Sequence, residues 1–163
     1  MDKTKVRLVC ENDKLDVDLD VIQKSTVLKN MIEDTGKEGE IVIPNMHSHI
    51  LRKVIEYCEH YRNSSPKDIK KPLVSKNLIE NGADEWDAAF IDIEKVDELI
   101  DLIVAANFLD IEGLLNLGCA KIATLIKGKP VEEIRELFGI ENDFTPEEEA
   151  RIREENKWAE SAI

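Results

Sequence analysis

The sequence predicts an α/β fold: a small sheet near the N-terminus, helices that cover it, and a helical C-terminal extension. Two patterns indicate this. Apolar and polar residues alternate with a period of two at the start of the chain, whereas from Val96 onward apolar residues recur with helical spacing. The chain of 163 residues suits one domain, or one domain with an extension, and its 42% hydrophobic residues argue against disorder.

Composition narrows the classes of partner. The chain carries 22 Lys and Arg against 35 Asp and Glu, a net charge of -13, which repels phosphate. We therefore expect neither nucleic acid nor an anionic membrane as partner. No apolar run approaches the roughly 20 residues that a membrane span needs, and no signal peptide is visible. The odd set of widely spaced cysteines, Cys10, Cys58 and Cys119, predicts reduced, packed thiols in a cytosolic or nuclear protein.

The first elements are strands. Apolar residues alternate along two runs, 5–10 and 15–19, on either side of the turn signal at Asn12 and Asp13. This spacing predicts a β-hairpin with one face toward solvent. Residues 41–43 are predicted to form a short third strand that Pro44 ends.

Helices follow the hairpin. Asp20 with Gln23 resembles a capping box, and Ser25 is placed to cap a second short turn. Apolar residues between 50 and 58 share one face of a longer helix. Residues 62–84 contain prolines and many lysines without a clean period, so they are predicted to be a long exposed loop.

The second half of the chain is predicted to be helical. Residues 96–109 are apolar on nearly every side, which predicts a helix buried on nearly every side, and residues 111–126 continue the pattern. Pro130 suits the first position of another helix, and Gly139 suits its end.

The last helix has strong start signals but few apolar residues. Thr145 is a good N-cap, Pro146 a good first residue, and Glu148 completes a capping box. Only two apolar residues fall between 147 and 155 before Trp158 arrives. Short helices need a packed face, so this one is predicted to fold against another chain, or to be half-ordered until that chain arrives. The surplus apolar surface favours a binding module over a plain helical subdomain with its own core.

Metal and catalytic sites are not expected. Asp16, Asp18 and Asp20 have the spacing that begins a calcium loop, but Val21 and Val27 stand where Gly and Glu are needed. A solvated strand face explains these acids better. The sequence has no G-x-S-x-G, phosphate-binding loop or G-x-G-x-x-G, so we expect neither an enzyme nor a cofactor.

Two further pairs have metal-like spacing. His47-x-His49 and Cys58-x-His60 are two residues apart, and side chains at that spacing do not share a helix face. A structural zinc site also needs four ligands. We expect His47 and His49 to be exposed near a helix start. Cys119 lies between apolar helical positions, which disfavours a reactive thiolate.

One segment carries a family resemblance. Residues 104–115, Val-Ala-Ala-Asn-Phe-Leu-Asp-Ile-Glu-Gly-Leu-Leu, closely resemble the S-phase kinase-associated protein family, the adaptor subunits of SCF-type (cullin-RING, F-box) ubiquitin ligases. The resemblance continues, in order, through residues 43–45, 54–58, 86–90, 126–129, 132–135, 142–149 and 155–158. It therefore covers essentially the whole chain.

The resemblance implies a BTB/POZ fold over residues 1–126, a small three-stranded sheet covered by helices, with an F-box-binding helical extension over 127–163. It implies a non-catalytic adaptor that links a cullin scaffold to F-box substrate receptors and promotes protein ubiquitination and degradation, in cytoplasm and nucleus. A weak homodimer of the free protein through the F-box-binding surface would be compatible with it.

Residue by residue, the resemblance implies two surfaces. The cullin face includes Val104, Asn107 and Phe108. The F-box groove includes Leu115, Cys119, Ile122, Ile126, Phe138, Ile140, Asn142, Phe144 and Trp158.

The chain departs from the family at some positions. Phe108 stands where a tyrosine is usual, which removes a hydroxyl but keeps the apolar ring. The loop before Trp86 is lysine-rich where relatives are often acidic, and we expect it to lie outside both surfaces. Pro146 resembles a proline that some protist members hydroxylate and glycosylate, so it is a candidate hydroxyproline, although a first-position helix proline needs no modification.

Three alternatives stay open. An elongin-C-like POZ adaptor of a transcription-elongation or SOCS-box ubiquitin ligase complex typically stops near the position of Ile126, so the helices beyond it count against this class. The others are a self-associating POZ structural protein and a metal-dependent enzyme.

Overall fold

The computed structural model describes residues 4–11, 13–36 and 39–160 and divides into two compact units, Met1–Leu125 and Ile126–Ile163. The predicted α/β class is confirmed, because the first unit holds a three-stranded sheet with several helices.

The sheet has the order β2-β1-β3. Strand β1 (Lys5–Cys10) pairs antiparallel with β2 (Asp13–Asp18) and parallel with β3 (Glu40–Val42). The register sets Leu8 between Leu15 and Ile41, so these three residues fall on one buried face of the sheet. The predicted hairpin is therefore confirmed. Strand β3 begins and ends one residue earlier than predicted, although the N–H of Ile43 still donates to the carbonyl oxygen of Val9 at 2.8 Å.

The helices of the first unit are α1 (Leu19–Ile22), α2 (Thr26–Thr35), α3 (Ser48–His60), α4 (Glu85–Phe90), α5 (Val96–Phe108) and α6 (Glu112–Ile126), which runs to the boundary. The second unit contains α7 (Val131–Phe138), α8 (Pro146–Glu155) and α9 (Lys157–Glu160).

One predicted helix cap is correct and another is wrong. Ser25 caps α2, and its hydroxyl oxygen accepts from the N–H of Leu28 at 3.1 Å. Asp20 does not begin a capping box, because α1 already starts at Leu19. The Asp20 carboxylate instead accepts a hydrogen bond from Arg62 at 2.8 Å.

The core of the first unit lies between the inner face of the sheet and helices α3, α5 and α6. Its fully buried side chains include Leu8, Ile41, Leu51, Leu99, Leu102, Leu109, Leu114 and Leu117. Gly118 lets α6 approach α5 closely: a Cβ atom there would lie 2.5 Å from Cγ1 of Ile103. The buried hydrophobic side chains therefore fix α5 and α6 as a rigid support for whatever their outer faces carry.

Residues 62–84 form neither helix nor strand. Most are exposed, but Leu78, Asn81 and Ala83 are buried. Asn81 is buried where exposure was predicted, because its side chain is enclosed by the backbone groups to which it hydrogen-bonds.

Two further predictions can be compared with the structure. Cys10 and Cys58 are buried, but Cys119 is exposed, so the prediction of packed thiols is wrong for that cysteine. It lies on the outer face of α6. Over the described residues, no helix combines the length and apolar character needed to cross a membrane.

Candidate protein-binding surfaces

Helix α5 presents one apolar stripe to solvent. Ile100, Val104 and Phe108, spaced four residues apart, share a helix face. Val104 is 60% exposed and Phe108 45% exposed. The prediction that this helix is buried on nearly every side is therefore wrong. The opposite face, which includes Leu99 and Leu102, already fills the core, and none of the described residues of this unit covers the outer stripe.

A depression of about 260 Å³ lies beside this stripe. Its lining consists of Pro44, Asn45, Met46, His47, Ile50, Asp101, Val104, Ala105 and Phe108. Two of the three residues expected on the cullin face line it, and the third, Asn107, is also exposed on α5. The structure thus places the three close together along the last two turns of one helix.

No sequence pattern indicated the other wall of the depression, which residues 44–47 form. Asn45 adopts the left-handed conformation with φ of 54°, which turns the chain from β3 toward α3. His47 is held at the rim by Glu11, with 2.9 Å between Nδ1 and Oε2. The four-residue spacing between Ile100 and Val104 was the one sequence signal for the exposed stripe of α5. Residues 44–47 reach the depression only through tertiary packing, so no sequence pattern marked them.

A tight turn fixes the end of the stripe. Asp110 adopts a φ of 52° after α5. Its N–H donates to Asn107 at 3.1 Å, and the N–H of Ile111 donates to Ala106 at 2.9 Å. These two bonds form a Schellman motif in which Asp110 takes the position that Gly usually holds. They fix the end of α5 and so the position of Phe108.

The outer face of α6 carries four of the residues expected to bind an F-box. Leu115, Cys119, Ile122 and Ile126 recur at i, i+4, i+7 and i+11 and therefore share one face of the helix. Cys119 is exposed and the other three are partly exposed. The opposite face, with Leu114 and Leu117, is buried in the first unit.

The second unit leaves several large apolar side chains exposed. None of the described residues of α7 and α8 is buried. Phe138 is partly exposed, while Ile140, Phe144 and Trp158 are exposed, the last of these at 73%. Such large exposed side chains on short helices are typical of protein interfaces.

Polar contacts order the segment between α7 and α8. Gly139, with φ of 62°, ends α7 as predicted. The Asn142 side chain accepts from the N–H of Phe144 at 3.3 Å, and the guanidinium of Arg135 lies 6.0 Å from the Phe144 ring. The segment therefore presents Phe144 from a defined position.

Charged residues join α7 to α8. Arg153 bonds both Glu132 and Glu149, and its hydrogen bond holds the pKa of Glu149 below its ordinary value. The predicted capping box of α8 is confirmed, with Thr145 as N-cap and Pro146 in the first turn. The ring of Pro146 is exposed.

The metal-like pairs have other roles. The indole of Trp86 stacks on His60 with 3.6 Å between ring centroids. Asp18 and Asp20 both bond Arg62, so a cation already occupies the space between their carboxylates. Among the residues that the structure describes, no three His, Cys, Asp or Glu side chains come together as metal ligands.

One buried polar cluster lies apart from the candidate surfaces. Tyr61 donates a hydrogen bond to Asp87 at 2.8 Å. Burial raises the pKa of Asp87 above its ordinary value. The ring of Tyr57 packs between Tyr61 and Phe90, with centroid distances of 4.9 and 5.8 Å. The cluster joins α3 to α4 and so has a structural role.

The small three-stranded sheet covered by helices defines a BTB/POZ-like α/β domain, here followed by a separate helical unit. Comparison with known proteins gives the same class. The model for the Skp1 family tetramerisation domain matches residues 6–63, and that for the Skp1 family dimerisation domain matches residues 112–159.

Whole-chain comparisons agree with these matches. The chain is 58% identical over 165 residues to the S-phase kinase-associated protein 1 homolog of Tetrahymena thermophila, covering 99% of each protein. It is 47% identical over 145 residues to the E3 ubiquitin ligase complex SCF subunit sconC of Aspergillus terreus, covering 88% of each. A protein of the same name from Arthroderma otae is 44% identical over 148 residues, 90% of this chain and 88% of the relative. The chain belongs to the Skp1 family.

Proposed function

We propose that the chain is a non-catalytic adaptor that links a cullin scaffold to F-box substrate receptors in an SCF-type E3 ubiquitin ligase. In this role it promotes the ubiquitination and degradation of the proteins that the receptors capture. The observation that carries the proposal is the near full-length similarity to proteins named as SCF subunits. Exposed apolar residues on α5 and in the second unit, and partly exposed ones on α6, support it.

The cullin surface is proposed to be the α5 stripe, with Val104, Asn107 and Phe108 as contacts. The stripe is apolar, exposed and supported from behind by a close-packed core, which suits an interface that must not deform. The depression beside it offers a pocket for an apolar anchor of the partner, and His47 and Asp101 supply a polar rim.

The F-box surface is proposed to comprise Leu115, Cys119, Ile122, Ile126, Phe138, Ile140, Asn142, Phe144 and Trp158. Trp158 and Phe138 are the expected hot spots, because large aromatic anchors carry much of the binding energy at interfaces. In the free protein the same residues would support a weak homodimer.

Exchanging single residues tests the two surfaces separately. Trp158→Ala should weaken binding of a purified F-box domain by about 2 kcal/mol or more and leave cullin binding unchanged. Phe108→Ala should weaken binding of the cullin N-terminal domain and leave F-box binding unchanged. Val42→Ala is the matched control, because Val42 is as exposed as Val104 at 60% but lies on β3. Calorimetric titrations in which both variants match the wild type would refute the assignment.

Further parts of the proposal follow from composition and family. The net charge of -13 argues against nucleic acid and anionic membranes as partners, and an adaptor of this kind would act in the cytoplasm and nucleus. Pro146 is accessible to a prolyl hydroxylase, so mass spectrometry of the native protein would reveal a modification there. The elongin-C-like alternative is not favoured, because the family match extends to residue 159.

A further inference from the structure

The loop between α3 and α4 is organised around one buried side chain. The Asn81 oxygen Oδ1 accepts from the N–H groups of Val74 and Ser75 at 2.7 and 3.3 Å. Its amide nitrogen donates to the carbonyl oxygens of Ser75 and Asn77, both at 2.7 Å. The backbone oxygen of Asn81 accepts from the N–H of Lys70 at 2.8 Å. The loop is thus ordered by its own hydrogen bonds without a helix or strand.

This ordering holds the backbone of four exposed residues near Asn81. Each of the four lies within two residues of Asn81 or of a backbone group that bonds to Asn81. They are Lys70, Val74, Lys76 and Ile79. Val74 is 67% exposed and Ile79 48% exposed. We call residues 67–81 the lysine loop. This loop therefore exposes apolar and cationic side chains within one short segment.

The lysines of the loop fall into two kinds. Lys67 pairs with Asp84, and Lys71 donates to Asn116 of α6 at 2.9 Å, so both anchor the loop. Lys70 and Lys76 are exposed and form no ion pair with any residue that the structure describes. Asp68 and Glu80 are the acids of the same segment. The loop is therefore locally cationic on a chain whose net charge is -13.

We propose that the lysine loop is a third docking surface, which binds an acidic protein segment that also carries apolar side chains. Charge complementarity selects the occupant: acidic residues would pair with Lys70 and Lys76 while an apolar side chain packs on Val74 and Ile79. The pre-ordered backbone lowers the entropy lost on binding. The surface is distinct from those proposed for cullin and F-box, so it would let a further partner bind the assembled adaptor.

The test uses the full chain, labelled with ¹⁵N, and a synthetic peptide in which glutamate alternates with leucine. The peptide should shift the amide resonances of residues 70–81, with a Kd on the order of 1 mM or tighter. Peptides with serine in place of leucine, or lysine in place of glutamate, should bind less well. Added salt should weaken the interaction.

Three variants locate the binding groups. Lys76→Glu should weaken peptide binding about fivefold, and so should the combined change of Val74→Ser and Ile79→Ser. Lys29→Glu, an equal charge reversal at an exposed lysine of α2, should have no such effect. None of these changes should alter F-box affinity, so failure here is distinguishable from failure of the proposed function.

Several results would overturn the proposal. The absence of shifts in residues 70–81, or equal weakening by Lys29→Glu, would remove its basis. If the amide resonances of residues 70–81 shifted with protein concentration in the absence of peptide, the occupant of the loop would be a second copy of this chain. Stronger loop shifts with an RNA oligonucleotide than with the acidic peptide would show that the lysines serve nucleic acid.

Discussion

The hydroxyl of Ser25 donates a hydrogen bond to the carbonyl oxygen of Leu109 at 2.5 Å, although the two residues are 84 positions apart. The same hydroxyl oxygen caps α2 by accepting from Leu28. Ser25 is completely buried. One side chain thus joins the start of α2 to the end of α5, the helix that carries the proposed cullin surface.

Replacing this serine should destabilise the first unit. Ser25→Ala removes a helix cap and leaves the buried carbonyl of Leu109 without its partner, at a cost of about 2–3 kcal/mol. Urea unfolding followed by far-UV circular dichroism measures the difference. Ser65→Ala, at an exposed serine of the loop, is the control and should change the free energy of unfolding little. Equal stability of the two variants would show that the buried hydroxyl contributes nothing net.

The contact between Gly118 and Ile103 gives a second prediction. Gly118→Ala forces a Cβ atom to 2.5 Å from Cγ1 of Ile103, and overpacking of this kind costs about 1–3 kcal/mol. The penalty should shrink in an Ile103→Ala background, where the opposing atom is absent. A double-mutant cycle on urea midpoints measures this coupling, and strictly additive effects would contradict the close approach of α5 and α6.

Buried Asp87 predicts a pH dependence. Its raised pKa means that the folded state holds the proton more tightly than the unfolded state. Its contribution is therefore present below the unfolded pKa of about 3.9 and is lost as pH rises through the folded value. Stability of the wild type relative to Asp87→Asn should therefore fall as the pH rises above about 4.

Asp92 supplies the opposite control. Lys121 bonds its carboxylate at 2.7 Å and lowers its pKa. Stability relative to Asp92→Asn should therefore rise with pH, and only slightly because this carboxylate is largely exposed. Parallel trends for Asp87 and Asp92 in urea titrations would contradict the assignment of burial as the cause of the raised pKa.

Position 108 allows a prediction about the cullin surface. The resemblance places a tyrosine there in most relatives, whereas Phe108 retains only the apolar ring. Phe108→Tyr should keep or modestly strengthen cullin binding, because a net hydrogen bond adds about 1 kcal/mol. Surface plasmon resonance against the cullin N-terminal domain measures it. Loss of binding equal to that of Phe108→Ala would contradict this expectation and show that the surface does not accommodate the hydroxyl.

Local patterns predicted much of the fold. The alternation from Val6 to Val17 was sufficient for the hairpin, and Thr145 with Glu148 for the cap of α8, because these features depend on neighbours in sequence. The exposure of the α5 stripe was mispredicted, since only the tertiary packing shows that Leu99 and Leu102 face the core while Val104 does not. The wall formed by Asn45 and His47 and the bond from Ser25 to Leu109 join distant parts of the chain, so no local pattern could indicate them.

The lysine loop shows the same limit. Its prolines and lysines predicted the absence of regular structure, but nothing in the local spacing marked Asn81 as its centre. That role requires four backbone groups to converge on one amide, and only the folded loop brings them together.

The most direct test of the bridging role is light scattering coupled to size exclusion on a mixture of this chain, a purified F-box domain and a cullin N-terminal domain. We expect a single species that contains one copy of each, with F-box and cullin bound at the same time. If the F-box domain displaced the cullin, or if no species held all three proteins, the adaptor function proposed for this chain would be contradicted.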